Sequence, residues 1–118
     1  MRIHHLAILT TDPPRLAKDL VDLLGVSVLR EHLDDQGVRA VWIDLGGVIL
    51  MIERGAADGA RGAGRGLDGL FLAVEPGTGP SWMTRLGARV TGRTAYTIYA
   101  TDIDGNRIGV SSYPELLG

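Results

Sequence analysis

Cysteine is missing altogether from these 118 residues, which removes disulfides, thiolate-bound zinc and a cysteine nucleophile from consideration. Aromatic residues are scarce, with two Trp, three Tyr and one Phe, so few side chains can offer stacking area to a flat ligand. No apolar run approaches the roughly 20 residues that a membrane span needs. Charge of one sign is lacking too: 12 Lys and Arg stand against 14 Asp and Glu, without the basic footprint of a nucleic-acid-binding surface. The N-terminus opens on a strand-like segment with two histidines instead of a charged-then-apolar export pattern, so a cytoplasmic location is expected. What the chain does have is 45% hydrophobic residues, a length suited to one domain with a sizeable core, and 17 glycines, which promise tight turns.

Ile3 to Thr10 reads as a buried strand, with no helical period. Asp12 offers an N-cap and Pro13 the first helical position, where its missing N–H costs nothing. Leu16, Ala17, Leu20, Val21 and Leu24 then recur at helical spacing until Gly25 closes the helix. Strands are expected at Val26 to Leu33, Val38 to Leu45 and Val48 to Glu53, separated by Asp34-Asp35-Gln36-Gly37 and Gly46-Gly47. The first half therefore reads β-α-β-β-β.

Gly55 to Gly66 is built almost wholly from Gly, Ala and Arg and reads as a flexible linker. It runs into Gly64-Arg65-Gly66-Leu67-Asp68-Gly69, a formal G-x-G-x-x-G. A dinucleotide loop must follow a strand and open a helix, so that the helix N-terminus meets the pyrophosphate. This stretch precedes a strand, and the motif is rejected. Beyond it come a strand at Leu70 to Glu75, a short helix at Ser81 to Leu86 with Ser81 as N-cap, and strands at Ala88 to Gly92, Ala95 to Thr101 and Asn106 to Ser112. Asp104-Gly105 between the last two is a strong hairpin signal. The second half is again β-α-β-β-β. Leu23-Leu24-Gly25-Val26 echoes Arg85-Leu86-Gly87-Ala88, so the chain is an internal repeat of about 55–60 residues.

His5-Leu6-Ala7-Ile8, the Asp12-Pro13-Pro14 helix ending Leu23-Leu24-Gly25-Val26, Gly46-Gly47-Val48-Ile49-Leu50-Met51-Ile52-Glu53 and Asp102-Ile103-Asp104-Gly105-Asn106 together resemble the vicinal oxygen chelate superfamily. That superfamily includes glyoxalase I, extradiol dioxygenases, fosfomycin-modifying enzymes and bleomycin-binding resistance proteins. The resemblance implies an α+β fold of two βαβββ modules, curved mixed sheets around a cavity, in a single domain. Module 1 would span about residues 1–54, the linker 55–66 and module 2 about 67–118. It also implies a homodimer.

Active members of the superfamily hold a divalent ion through four ligands. Carried over one at a time, the first falls on His5, the second on Leu50, the third on Gly69 and the fourth on Gly109. Glu53 lies on the opposite strand face from Leu50, because strand side chains alternate. Three positions of the four therefore lack a donor, and one imidazole does not offset a divalent ion's lost hydration. No metal, no other cofactor and no catalytic residue is assigned. His4 is expected on the face opposite His5, and His32 near a turn. Asp102 and Asp104 lack the further ligands of a calcium loop.

The ligand-binding candidates are His5, Trp42, Leu50, Tyr96 and Tyr99, with Phe71 divided between lining and core packing and Ser111, Ser112 and Tyr113 at a rim. The expected function is metal-independent binding of an apolar or aromatic small molecule, as in antibiotic-sequestering bleomycin resistance proteins. The alternative is a lyase, isomerase or dioxygenase of the same superfamily, using a divalent metal or His5 as base. Neither nucleic acid nor a membrane is an expected partner.

Overall fold

The computed structural model describes residues 1–55 and 69–118. The proposed linker and its G-x-G-x-x-G, apart from Gly55 and Gly69, lie outside the described residues. The chain divides into two compact units, Met1–Ala60 and Arg61–Gly118.

The first unit runs β1 (His5–Thr10), α1 (Pro13–Leu24), β2 (Ser27–Asp34), β3 (Gly37–Asp44) and β4 (Ile49–Arg54). Its sheet has the order β1-β4-β3-β2, with β1 and β4 parallel and the other pairs antiparallel. The Asp12 carboxylate accepts the Arg15 N–H at 3.3 Å and caps α1. Gly25 sits at φ 70°, where its N–H reaches the Val21 carbonyl at 2.9 Å, a left-handed stop that glycine takes without a Cβ penalty. Leu16, Ala17, Leu20, Leu23 and Leu24 are buried as the helix packs on β3 and β4. Val41, Ile43, Leu50 and Ile52 are buried with them. Each such leucine or isoleucine contributes about 1.5–3 kcal/mol of apolar transfer. In the β2–β3 hairpin Asp34 accepts the Gln36 N–H at 2.9 Å. Arg54 from β4 ties the hairpin down, pairing with Asp34 and donating to the Val38 carbonyl at 3.2 Å.

The second unit repeats the plan with β5 (Leu70–Ala73), α2 (Gly79–Leu86), β6 (Val90–Arg93), β7 (Thr97–Thr101) and β8 (Arg107–Ser111). The sheet order is β5-β8-β7-β6, again with one parallel pair, β5 and β8. Ile98, Ala100, Ile108 and Val110 are buried on one face, and Leu86 of α2 and Leu117 are buried as well. Strand ends shift by one or two residues from the sequence expectation, and two of the shifts have a visible local form. Helix α2 starts at Gly79 with Thr78 as its cap residue, so Ser81 lies inside the helix, because Pro80 at the first turn already sets the helical φ. Ala88 belongs to a 3-10 turn, Gly87–Arg89, before β6 begins. The last residues are strapped to this unit by Leu117 N–H to Ala95 O at 2.9 Å and Gly79 N–H to Leu117 O at 2.8 Å. Among the described residues no helix is long and apolar enough to cross a membrane.

Candidate functional site

Strand register decides which side chains can meet. In the first unit His5 pairs with Ile49, Ala7 with Met51 and Leu9 with Glu53, while Met51 pairs with Trp42 and Trp42 with Arg30. Paired residues share a face, so His5, Met51, Trp42 and Glu53 lie on the open side of this sheet. Leu50 pairs with Leu6 and Ile43, and at 1% exposure it is part of the buried layer. The placement of Leu50 in a binding wall is thus corrected: alternation along β4 turns its side chain away from the His5 face. Glu53 is on the His5 face, contrary to the sequence alignment. It stands level with Leu9, four residues along the strand from His5, or roughly 13 Å.

Histidines 4 and 5 approach each other, Nδ1 to Nδ1 at 2.9 Å with rings edge to face. The expected opposition fails because β1 begins only at His5, leaving His4 outside the pleat. Elsewhere on this sheet Trp42 stacks at 4.7 Å on His32 and lies 5.5 Å beneath the Arg30 guanidinium. The indole Nε1 of Trp42 and Nε2 of His32 are buried without a hydrogen-bond partner among the described residues.

Among the described residues, the second unit carries a cavity. The open face of β5-β8-β7 presents Phe71, Arg107, Ser111, Tyr99 and Thr97, which line a cavity of about 290 Å³. Phe71 and Tyr99 meet edge to face with centroids 5.5 Å apart. The Arg107 guanidinium lies 4.4 Å from the Tyr99 centroid and 5.8 Å from that of Phe71, a cation–π arrangement on both rings. At the far end of the face Thr97 Oγ1 and Ser111 Oγ are 2.8 Å apart. Ser111 Oγ donates to the Tyr96 carbonyl at 3.2 Å and accepts the Tyr113 N–H at 3.3 Å. Ser111 has one proton, which either the Tyr96 carbonyl or Thr97 Oγ1 can accept.

Gly69 and Gly109 in this unit, the glycines onto which the resemblance carried the third and fourth ligand positions, are both covered by one ring. A Cβ on Gly69 would stand 2.9 Å from Phe71 Cε2 and 2.8 Å from the Arg107 carbonyl oxygen. A Cβ on Gly109 would stand 2.8 Å from Phe71 Cδ1 and Cε1 and would collide with the Ile98 carbonyl. Neither position has room for a side chain. Among the described residues no group of three or more His, Asp or Glu side chains gathers to hold a metal.

Of the sequence candidates, Tyr99 lines the cavity and Tyr96 stands beside its Ser111 wall, its ring edge to face with Tyr113 at 5.3 Å. His5 and Trp42 share the open face of the first sheet. Arg107 and Thr97 escaped the sequence reading. Period-2 alternation places Arg107 with Gly109 and Ser111, and Thr97 with Tyr99, a signal that was present once the hairpin was recognised.

No protein-family model and no curated protein sequence matches the chain. Solved structures do. TioX from Micromonospora sp. ML1 superimposes with a TM-score of 0.65 at 18% identity, covering 94% of this chain and 98% of that one. Lactoylglutathione lyase from Agrobacterium tumefaciens gives 0.68 at 19% identity over 93% and 92% of the two chains. The fosfomycin resistance protein FosX from Listeria monocytogenes gives 0.75 at 13% identity over 94% and 90%. With two βαβββ units, parallel pairing of first and last strands in each, and these neighbours across nearly its whole length, the chain has the fold of the vicinal oxygen chelate superfamily.

Proposed function

We propose that the protein is a metal-independent binder of an apolar or aromatic small molecule, held on the open faces of its sheets. The observation that carries this reading is the Phe71 ring lying over Gly69 and Gly109. The fold itself is compatible with a metal, since FosX from Listeria monocytogenes has been crystallised with manganese(II). In this chain the open face of the second unit offers an aromatic surface and a cationic edge. Capture by shape and apolar area with a few polar anchors is what such a surface can do. Sequestration of an antibiotic is the role we assign to it, in a cytoplasmic homodimer.

The test is elemental analysis of the purified protein, repeated after soaking with Ni, Zn, Mn or Fe, beside a thermal-shift screen of aromatic compounds. The expected result is substoichiometric metal and an upward shift with aromatic ligands. A ligand at a hundred times its Kd adds about 2.7 kcal/mol. Near-stoichiometric metal that His5→Ala abolishes overturns the reading in favour of the metal-dependent enzyme. Size-exclusion chromatography with light scattering checks the dimer.

A further inference from the structure

We propose that the cavity on β5-β8-β7 takes a small aromatic ligand bearing an uncharged oxygen substituent, a phenol or an aryl ketone, and that the Thr97 hydroxyl reads that oxygen. This deepens the small-molecule-binding reading and rests on it. Strand register arranges the open face in rows. Tyr99 and Phe71 both pair with Gly109, while Thr97 and Ala73 both pair with Ser111. The aromatic row and the hydroxyl row are two residues apart along the strands, about 7 Å. Phe71, Tyr99, Thr97 and Ser111 all line the cavity. A ring set against the aromatic row can therefore aim one oxygen at the hydroxyl row, and a hydrogen bond of about 2.8 Å closes the remaining gap.

Within the hydroxyl row the spare capacity lies on Thr97. Ser111 Oγ has three partners, Thr97 Oγ1 at 2.8 Å, the Tyr96 carbonyl at 3.2 Å and the Tyr113 N–H at 3.3 Å. Among the described residues the Thr97 hydroxyl has one, Ser111. A hydroxyl carries one proton and two lone pairs, so Thr97 still has sites to give.

The direction of the pair is reversible, which lets it meet either kind of partner. With the Ser111 proton on the Tyr96 carbonyl, Thr97 donates to Ser111 and offers its lone pairs to a ligand donor. With the Ser111 proton on Thr97, the Thr97 proton is free for a ligand acceptor. The second arrangement orphans nothing, because the Tyr96 carbonyl also accepts the Ser112 N–H at 3.0 Å. A phenol is met in both arrangements and a ketone in the second. A hydrocarbon covers the Thr97 oxygen and returns no hydrogen bond for the water it displaces.

Size sets the scale of the ligand's body. A volume of about 290 Å³ sits at the small end of ligand pockets, which run about 300–1,000 Å³. One or two fused rings fit, and Phe71, at 37% exposure, supplies apolar surface for them.

The experiment titrates the full chain with phenol, acetophenone and toluene, followed by amide chemical shifts. Toluene replaces the hydroxyl of phenol by a methyl group, so the Kd of toluene divided by that of phenol reports the reading of oxygen. Thr97→Val removes the hydroxyl and is expected to lower this ratio by about three- to tenfold, the scale of one neutral hydrogen bond. The corresponding ratio of toluene to acetophenone should fall by a similar factor, since the ketone needs the Thr97 proton. Thr84→Val deletes the same group from an exposed position on α2 and is expected to leave both ratios as they are. Thermal midpoints of the variants report folding independently. A phenol ratio that survives Thr97→Val, or that is lost in Tyr99→Phe instead, overturns the assignment of Thr97 while leaving aromatic binding standing. An acetophenone ratio that survives Thr97→Val overturns the reversible pair. No shift changes with any of the three compounds at millimolar concentration overturns both the oxygen reading and aromatic binding.

Discussion

The ring of Phe71 lies on the backbone of Gly109, closely enough that a Cβ there would stand 2.8 Å from two of its carbons. Each residue explains the other: the bare backbone lets the ring down onto β8, and the ring fills the space a ligating side chain would need. Protons on Gly109 Cα should therefore resonate upfield through the ring current of Phe71. Phe71→Ala should return them to ordinary values, read in a single carbon–proton correlation spectrum.

The same closeness predicts the response to a methyl group. Gly109→Ala forces the new Cβ against the ring and the Ile98 carbonyl, and overpacking of this kind costs about 1–3 kcal/mol. Adding Phe71→Ala should recover only part of the loss, since the Ile98 carbonyl is backbone and stays. Urea denaturation of the single and double variants measures both steps. A Gly109→Ala protein as stable as the wild type would show that β8 yields easily, and the steric argument against a ligand at this position would fail.

Leu50 separates core from binding wall. Its 1% exposure and its pairing with Leu6 and Ile43 make Leu50→Ala a cavity-creating change in the α1 layer, expected to cost about 2–5 kcal/mol. Ligand affinity, measured on the folded fraction, should not change. A variant of near-normal stability and weakened binding would return Leu50 to the binding surface.

The helix caps give a paired comparison. Asp12→Ala removes the acceptor for the Arg15 N–H and should cost about 0.5–2 kcal/mol. Ser81→Ala changes an exposed side chain inside α2 and should stay within about 0.5 kcal/mol of the wild type. The reverse ranking in thermal denaturation would restore Ser81 as the cap.

These comparisons also show what the sequence could and could not convey. Order and type of the elements were legible because each carries a local signal: Pro13 and Gly25 bound α1, and Asp104-Gly105 closes the last hairpin. The pairing of β1 with β4 was not, because it joins residues more than forty apart and no local rule fixes their register. That is why Leu50 was set on the His5 face and Glu53 off it, when the His5–Ile49 pairing does the opposite. In the second unit the glycines at 69 and 109 were legible as missing donors. That a single ring covers both was not, because Phe71 reaches Gly109 across a parallel strand pair. Arg107 was overlooked for a related reason: its worth lies in the Tyr99 and Phe71 faces beneath it, and three strands must come together before those faces exist.

Asp102 closes the chain's last hairpin from within and sets a pH dependence. At 4% exposure its Oδ1 accepts the N–H groups of Asp104 and Asn106, each at 2.9 Å, and its Oδ2 accepts from the Asn106 amide at 2.8 Å. Burial raises its pKa above the ordinary aspartate value, and the hydrogen bonds from Asn106 and Asp104 oppose that rise. A raised native pKa means that the folded chain holds this proton when the unfolded chain has lost it. The contribution of the group to stability is therefore greatest in acid, falls as pH rises from about 3.9 through the raised value, and is flat beyond. The side-chain amide of an Asp102→Asn variant keeps an oxygen for the two backbone N–H groups and does not ionise. The stability of the wild type relative to that variant, from urea titrations between pH 3 and 7, should decline with pH; a rise would reverse the assignment of burial as the dominant cause. Asp102→Ala removes both acceptor oxygens and with them three hydrogen bonds, and should cost about 2–4 kcal/mol near neutral pH, because buried N–H groups are left unpaired.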